Sequence, residues 1–584
     1  MSRAKQVWAG AILLALLQLG YMLLWWNKGI QLNSNGLDVM AGLAILAGKA
    51  PYLDFHYWCP PGHLLLYTAL TWVFGDALIY VRAFAVMERL AIFVLLYFWL
   101  TRVVSPGAAF FGTFAAAIGF SADPADVISH YDFDAVLASV AAGYAASAAM
   151  TSRHKSLFFV TGVCAGLCMV AKQTQGVGMF VIFPAIFLLG NAAGGIVPYL
   201  AGWAIPTGLV TAWLMRAGAW HAFIEQNFTK GTSSKGPLGA IFLRPFYQPL
   251  VIRTLGAALA IAIVLMVTHW WLAKREEPTD NTNSLPWVLW ASSLIALLTG
   301  FAVAWWVPNM ERFERVLFGY ATICIFISMF GSIAVGLSYT WRAIRGRLDD
   351  RQTQIWILAC VSATTAYMFS LSWAAYEKML VPGFALLLAL ALNGRILRPR
   401  QYAAIALGLM LIFTCTFRKL MFPYGWENWT DGPIKIQTAS TDFPELKDIR
   451  VSEKTAQFLE GVTKTIDAHS KPDDKIFCFP NYALFYVLAH RAPAVFAYMD
   501  WFDIVSDALV MEDAGRIKAN PPAVILSVEM PDLMMSRAES KFRNGKPSGQ
   551  RAMLRIIKRL PGYRLLESVP IPYEDYPLNI YVRD

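Results

Sequence analysis

The chain has 584 residues, of which 57% are hydrophobic and 15% charged, with a mean hydropathy of +0.47. That leaves too little polar surface to coat a soluble globule, so a soluble enzyme is excluded and a polytopic membrane protein is expected. The formal charge of +10 does not mark a nucleic-acid binder, because the basic residues are parcelled out between apolar runs.

In chain order, apolar runs predict membrane spans near 7–26, 79–101, 106–121, 134–150, 157–173, 176–191, 195–215, 249–272, 286–306, 316–339, 355–373, 379–394 and 402–417, about thirteen in all. The first follows Arg3 and Lys5, has no small-residue cleavage site, and is read as a span that stays in the protein. The stretch Gly62 to Phe74 is too short to cross and is expected to be a juxtamembrane helix. With that count the basic clusters Arg153-His154-Lys155, Lys274-Arg275, Arg342 to Arg351 and Arg395 to Arg400 fall on one side. The positive-inside rule makes that side the cytoplasm, with the N-terminus inside and the C-terminal tail outside. The setting expected is a bacterial inner membrane with the tail in the periplasm.

The composition turns polar after the last span, giving a membrane unit over 1–417 and an extracytoplasmic unit over 418–584. In the second unit, strands are predicted over Lys475–Phe479, Ala494–Tyr498, Ala523–Val528 and Asn579–Val582. Helices are predicted over Asn481–Arg491, Val505–Lys518 and Arg551–Leu560. The fold class is therefore mainly α, a polytopic membrane helical bundle with a small C-terminal α/β domain. Cys164 and Cys168 lie on an apolar run and read as core residues; Cys59 and Cys478 fall outside the spans, where they could pair.

This topology collects the ionisable residues on the outer side. Loop one, 27–75, holds Asp38, Asp54 and His56; the second outer loop holds Asp123, Asp126, His130, Asp132 and Asp134. Lys172, Arg312, Arg315 and Lys378 lie at outer ends of spans, with Glu311 and Glu377 beside them. An acid beside the bilayer is costly without a purpose, which favours a chemical role for Asp38. Asp54 and His56 read equally well as cavity-facing polar residues or as turn residues. Asp123 and Asp126 suit helix capping. Asp132 and Asp134 are two apart, so on one helix they point in different directions and only one, Asp132 by preference, need face a substrate. Lys172 could meet a phosphate or simply snorkel to the interface.

Asp38, followed by Gly48-Lys49-Ala50-Pro51-Tyr52-Leu53-Asp54-Phe55-His56-Tyr57-Trp58-Cys59-Pro60-Pro61-Gly62, resembles the first outer loop of GT-C glycosyltransferases. These integral-membrane enzymes include the dolichyl-phosphate-mannose transferases and the lipid A aminoarabinose transferases. His130-Tyr131-Asp132-Phe133-Asp134 resembles their second acidic motif, and Lys172-Gln173-Thr174 with Gly176 resembles a lysine site common among them. In place of the Glu-Lys-Pro of the aminoarabinose enzymes this chain has Cys59-Pro60-Pro61, without that metal-ligand candidate and phosphate-binding lysine.

The resemblance implies an inverting transferase that moves a sugar from a polyprenyl-phosphate donor to a lipid, glycan or protein acceptor. Asp38 and Asp132 would be the catalytic carboxylates. Asp54, His56, Lys172, Arg312, Arg315 and Lys378 would contact substrate, and a divalent cation bridging the loops is compatible with the acids present. The competing class is a lipid flippase or transporter, whose working acids would lie near the bilayer midplane.

Overall fold

The computed structural model describes residues 2–32, 34–121, 130–230, 293–299, 311–371, 382–393, 399–421, 423–426 and 429–584. The chain is a multi-pass membrane protein. Its first nine α-helices are α1 (Arg3–Leu23), α2 (Ser34–Leu46), α3 (Gly62–Phe74), α4 (Leu78–Leu100), α5 (Pro106–Phe120), α6 (Tyr131–Ser152), α7 (Lys155–Ala171), α8 (Gln173–Leu189) and α9 (Ile196–Arg216). Further helices run over Glu311–Ile344, Asp350–Ser370, Gly383–Leu392 and Pro399–Met421. Apart from α2 and α3, which lie in loop one, each stands where an apolar run predicts a span, and α3 stands where the juxtamembrane helix is expected. The expected span 249–272 lies outside the described residues, and of 286–306 only the helical segment 293–299 is described. Among the described residues, six helices are long and apolar enough to cross a membrane.

The bundle is organised around α5, in which every residue after Pro106 is buried. Alanines and glycines dominate that helix, so neighbouring helices approach it closely, as membrane helices with small faces do. Two short helices, α2 and α3, lie outside the row of long spans and carry loop one. Their placement depends on missing side chains. A Cβ on Gly36 would run into the backbone of Leu484, and one on Gly62 into the backbone of Val170. The first lets α2 sit on the C-terminal region, and the second seats the start of α3 on the end of α7.

The C-terminal sheet has four strands: β1 (Ile476–Phe479), β2 (Val524–Val528), β3 (Tyr563–Pro570) and β4 (Pro577–Arg583). Their order is β1-β2-β4-β3, with β1 parallel to β2 and the other pairs antiparallel. Helices Glu453–His469, Asp507–Ala519, Asp532–Arg543 and Gly549–Ile557 accompany them. The segment 494–498 is not a strand, contrary to expectation. The amides of Phe496 and Ala497 donate instead to the carboxylate of Asp513, at 2.9 and 3.0 Å, and the carbonyl of Phe496 accepts from His56 N. Strand β3 escapes the sequence pattern because it is an edge strand with few buried residues and no clean alternation. The helix predicted over 481–491 shrinks to Leu484–Leu488. Cys59 and Cys478 are both buried and are not joined in a disulfide.

Loop one and this C-terminal region share one hydrophobic core. Ile30, Leu32, Phe55 and Tyr57 belong to the same buried cluster as Trp429, Phe477, Phe485 and Leu526. Backbone bonds reinforce it: Gly29 N donates to Arg450 O and Arg450 N to Asn27 O, both at 2.7 Å, and Leu484 N donates to Leu32 O at 3.0 Å. Trp429 Nε1 donates to Ile30 O at 2.9 Å. From the membrane side the buried Arg82 of α4 donates to the carbonyls of Trp26, Lys28 and Gly29, so the root of loop one is held from both directions.

One buried acid in the C-terminal region stands apart. Asp500 is 1% exposed, and neither carboxylate oxygen has a hydrogen-bond partner among the described residues. Burial, and then the charge of Asp513, push its carboxyl well above the usual range. The folded state therefore binds a proton that the unfolded chain releases, and stability falls as pH rises from the ordinary carboxylate range through the raised value. Asp500→Asn is expected to raise the melting temperature of the full chain in detergent at pH 7.5, by the equivalent of about 1–3 kcal/mol. It should also flatten the melting temperature between pH 5 and 8. A lower melting temperature at pH 7.5 would show that the carboxylate is satisfied in solution.

Candidate active site

Asp38 lies in the second turn of α2 and is 7% exposed. Facing it is His63, in the first turn of α3, whose Nε2 is 3.7 Å from Asp38 Oδ2. That is an ion-pair separation, longer than a hydrogen bond. The other ring nitrogen, Nδ1, is 2.8 Å from Asp134 Oδ2 on the first turn of α6. The carboxyl of Glu88 on α4 lies against that of Asp134, with Arg89 close to both. Four separate elements, α2, α3, α4 and α6, thus bring charge to one buried place.

Beside it lies a second group. Lys172 sits at the junction of α7 and α8 in an extended conformation, φ −146° and ψ 110°, which breaks the helix. From that break its Nζ donates to Asp132 Oδ1 at 2.5 Å. The ammonium also lies over the rings of Phe369 and Tyr131, 4.5 and 5.3 Å from their centroids. His130 caps α6, accepting from Asp132 N at 3.4 Å, and its ring packs on Tyr131 with centroids 4.0 Å apart. The Trp58 indole of loop one donates to the Tyr131 hydroxyl at 3.4 Å, so the aromatic turn of loop one covers this corner.

The structure therefore brings Asp38, Asp132 and Lys172 into one neighbourhood. Asp132 and Asp134 do point in different directions, and both are engaged. Asp132 faces Lys172, while it is Asp134 that His63 links to Asp38. Asp54 is exposed and caps a tight turn, its Oδ2 accepting from Ala50 N at 2.6 Å. His56 is buried between Gln226 Oε1, at 2.9 Å from Nδ1, and the carbonyl of Ile504, at 3.4 Å from Nε2. Burial pulls its imidazole below the ordinary value, against the raising effect of those two partners. Gln226 also donates to Tyr52 O at 2.7 Å, so His56 fastens loop one to the segment after α9 and to the C-terminal region. Arg312 and Arg315 stand near the start of the helix Glu311–Ile344, with their side chains outside the description. Lys378, Asp123 and Asp126 lie outside the described residues.

Sequence reasoning missed His63, Glu88 and Arg89. Glu88 and Arg89 interrupt the apolar run Leu78–Leu100 one and a half turns and more beyond Arg82, and an ionisable pair inside a span is a signal in itself. His63 follows Pro60-Pro61-Gly62 and carried no separate signal, since its partners come from distant segments.

Burial would lower the His63 imidazole, but Asp134 and Asp38 outweigh it and raise it to about 10. Among the described residues no group of three or more His, Cys, Asp and Glu side chains is arranged to hold an ion.

No protein-family model and no curated protein sequence matches the chain. Solved structures do. An oligosaccharyltransferase from Archaeoglobus fulgidus, tethered to an acceptor peptide, aligns over 98% of this chain and 74% of its own, at 12% identity and a TM-score of 0.49. AglB from the same organism, in complex with an inhibitory peptide and a dolichol-phosphate, aligns over the same shares at 12% identity and 0.47. ArnT from Cupriavidus metallidurans, bound to undecaprenyl phosphate, aligns over 98% of this chain and 97% of its own, at 12% identity and 0.41. These are membrane glycosyltransferases of the GT-C superfamily. All three scores lie below 0.5, so the chemistry of this chain has to be read from its own residues.

The Lys172–Asp132 pair is nearly sealed, with side chains 7% and 4% exposed. Removing one partner of a buried pair strands the other's charge, at about 3–5 kcal/mol. Lys172→Met is expected to lower stability by that amount, and adding Asp132→Asn to recover more than half of it in a double-mutant cycle followed by thermal unfolding. Additive losses would mean that the two charges act independently.

Proposed function

We propose that the protein is an inverting glycosyltransferase that takes its sugar from a polyprenyl-phosphate donor. The observation that carries this reading is the joining of Asp38, His63 and Asp134, beside the Lys172–Asp132 pair, in one buried cluster under the aromatic turn of loop one. A carboxylate with accepting capacity next to a cation held by an acid is what single displacement at a sugar carbon needs.

In the reaction proposed, an acceptor hydroxyl attacks the anomeric carbon and its proton passes to the carboxylate of Asp38. The bond from that carbon to the phosphate oxygen breaks, and the lipid phosphate departs with the electron pair. Lys172 meets the departing charge, with Arg312, Arg315 and Lys378 as the further cations proposed for the phosphate. Asp132 holds Lys172 in place and is the second carboxylate of the site. Asp54 and His56 serve better as anchors of loop one than as substrate contacts, given their partners. No step is routed through a divalent cation. The donor class is that of the lipid phosphates bound in the AglB and ArnT structures; in this chain its support is the pairing of a buried lysine with an acid near the ends of apolar helices. The acceptor proposed is a lipid, glycan or protein hydroxyl.

We place the reaction on the periplasmic face of a bacterial inner membrane, with the N-terminus in the cytoplasm. The unit 418–584 lies on the reacting side and roofs loop one.

The test is a transfer assay with purified protein and a panel of polyprenyl-phosphate sugars, comparing the wild type with Asp38→Asn. The wild type is expected to release the lipid phosphate, and Asp38→Asn to lose at least about a hundredfold in rate. Full activity in Asp38→Asn would remove Asp38 from the chemistry. Movement of a labelled lipid across vesicles without any covalent product would favour a flippase instead.

A further inference from the structure

We propose that His63 is a positioning residue, whose ring, set between the carboxylates of Asp38 and Asp134, fixes the orientation and the charge of Asp38. The inference rests on the role given to Asp38 above and adds to it the group that makes that role possible.

The geometry comes first. A neutral imidazole carries one proton, and here both ring nitrogens face carboxylates: Nδ1 at 2.8 Å from Asp134 and Nε2 at 3.7 Å from Asp38. If Nδ1–H serves Asp134, a neutral ring would turn a lone pair toward the Asp38 carboxylate in a site without bulk water. A doubly protonated ring serves both acids. The His63 side chain is 1% exposed, so it has no solvent to fall back on. Its ring is also held edge-on by Tyr67 and Tyr131, at centroid distances of 6.2 and 6.4 Å.

The two acids are not equivalent. Asp134 is held by a hydrogen bond from His63 and by contact with Glu88, and its capacity is largely spent. Among the described residues Asp38 has only the longer contact, and its side chain keeps 9% exposure. Its lone pairs remain available for a substrate proton, with the imidazole beside them. Among the described residues the charged and titratable groups facing the pair are Asp134, His130 and Tyr131 at the start of α6, Glu88 and Arg89 from α4, Tyr67 from α3 and Tyr57 from loop one.

Two measurements on the full chain decide the matter. In ¹⁵N-histidine solid-state NMR of the protein in lipid, the His63 ring, assigned by its change in Asp134→Asn, is expected to carry protons on both nitrogens at pH 8. A neutral ring at pH 8 overturns the proposal whether or not an activity has been found. In the transfer assay, His63→Gln is expected to lower kcat by about tenfold to a hundredfold with KM unchanged, and to move the acid limb of the kcat profile to higher pH. Loss of a neighbouring cation favours the protonated base, which sets that direction. An unmoved pH profile, or a change confined to KM, overturns the positioning role. If the wild type transfers sugar from no donor, the glycosyltransferase reading fails, and the NMR signature alone then decides whether His63 bridges the two acids.

Discussion

Everything at the candidate site depends on loop one being folded into the C-terminal region rather than lying free over the membrane. Its root is stitched to residue 450 by reciprocal backbone bonds, and its apolar residues sit in the core that surrounds β1 and β2. Such a core is worth far more than the few backbone bonds, because every buried aliphatic or aromatic side chain contributes about 1.5–3 kcal/mol while each net hydrogen bond contributes about 1. The consequence is positional. Helices α2 and α3 have no long span of their own to orient them, and Asp38 and His63 are aimed by a unit that begins hundreds of residues later in the chain.

The second organising fact is electrostatic. Glu88 and Arg89 lie in the middle of the apolar helix α4, and Asp132, Asp134 and Lys172 lie at the ends of apolar helices, where an isolated charge is expensive. Each finds an opposite charge: Lys172 for Asp132 and His63 for Asp134 from other elements, and Arg89 for its helix neighbour Glu88 and for Asp134. Buried pairs of this kind seldom add stability over apolar packing. Their persistence here, in a bundle that could have been closed with leucine, is the physical ground for reading them as functional.

Much of this was legible in the sequence. Hydropathy marked the spans because a lipid environment demands long apolar runs whatever their neighbours, and Gly62–Phe74 fell short of a span by length alone. Asp38, Asp132 and Lys172 stood out as charges at span ends. What could not be read was pairing across elements. His63 gains its meaning from Asp38 and Asp134, on two other helices, and nothing within a few residues of it says so. The segment 494–498 looked like a strand by composition, but its amides are claimed by Asp513 and its carbonyl by loop one, a competition visible only in three dimensions. His56 and Asp54 looked chemical because acids and histidines often are, whereas their hydrogen bonds are those of a fastener and a turn.

Loop one and the C-terminal region form one body, through a shared core and backbone bonds. Lys28 and Arg450 pair across a bridge between them, and neighbouring strand residues lie about 5 Å apart, within reach of a disulfide. In membranes, mild oxidation of a Lys28→Cys, Arg450→Cys double variant should therefore hold together the two fragments made by cleaving the chain between those positions, until a reductant is added. If the fragments separate without reductant while each single cysteine is reactive, the two regions are not in contact, and the site built on them does not exist.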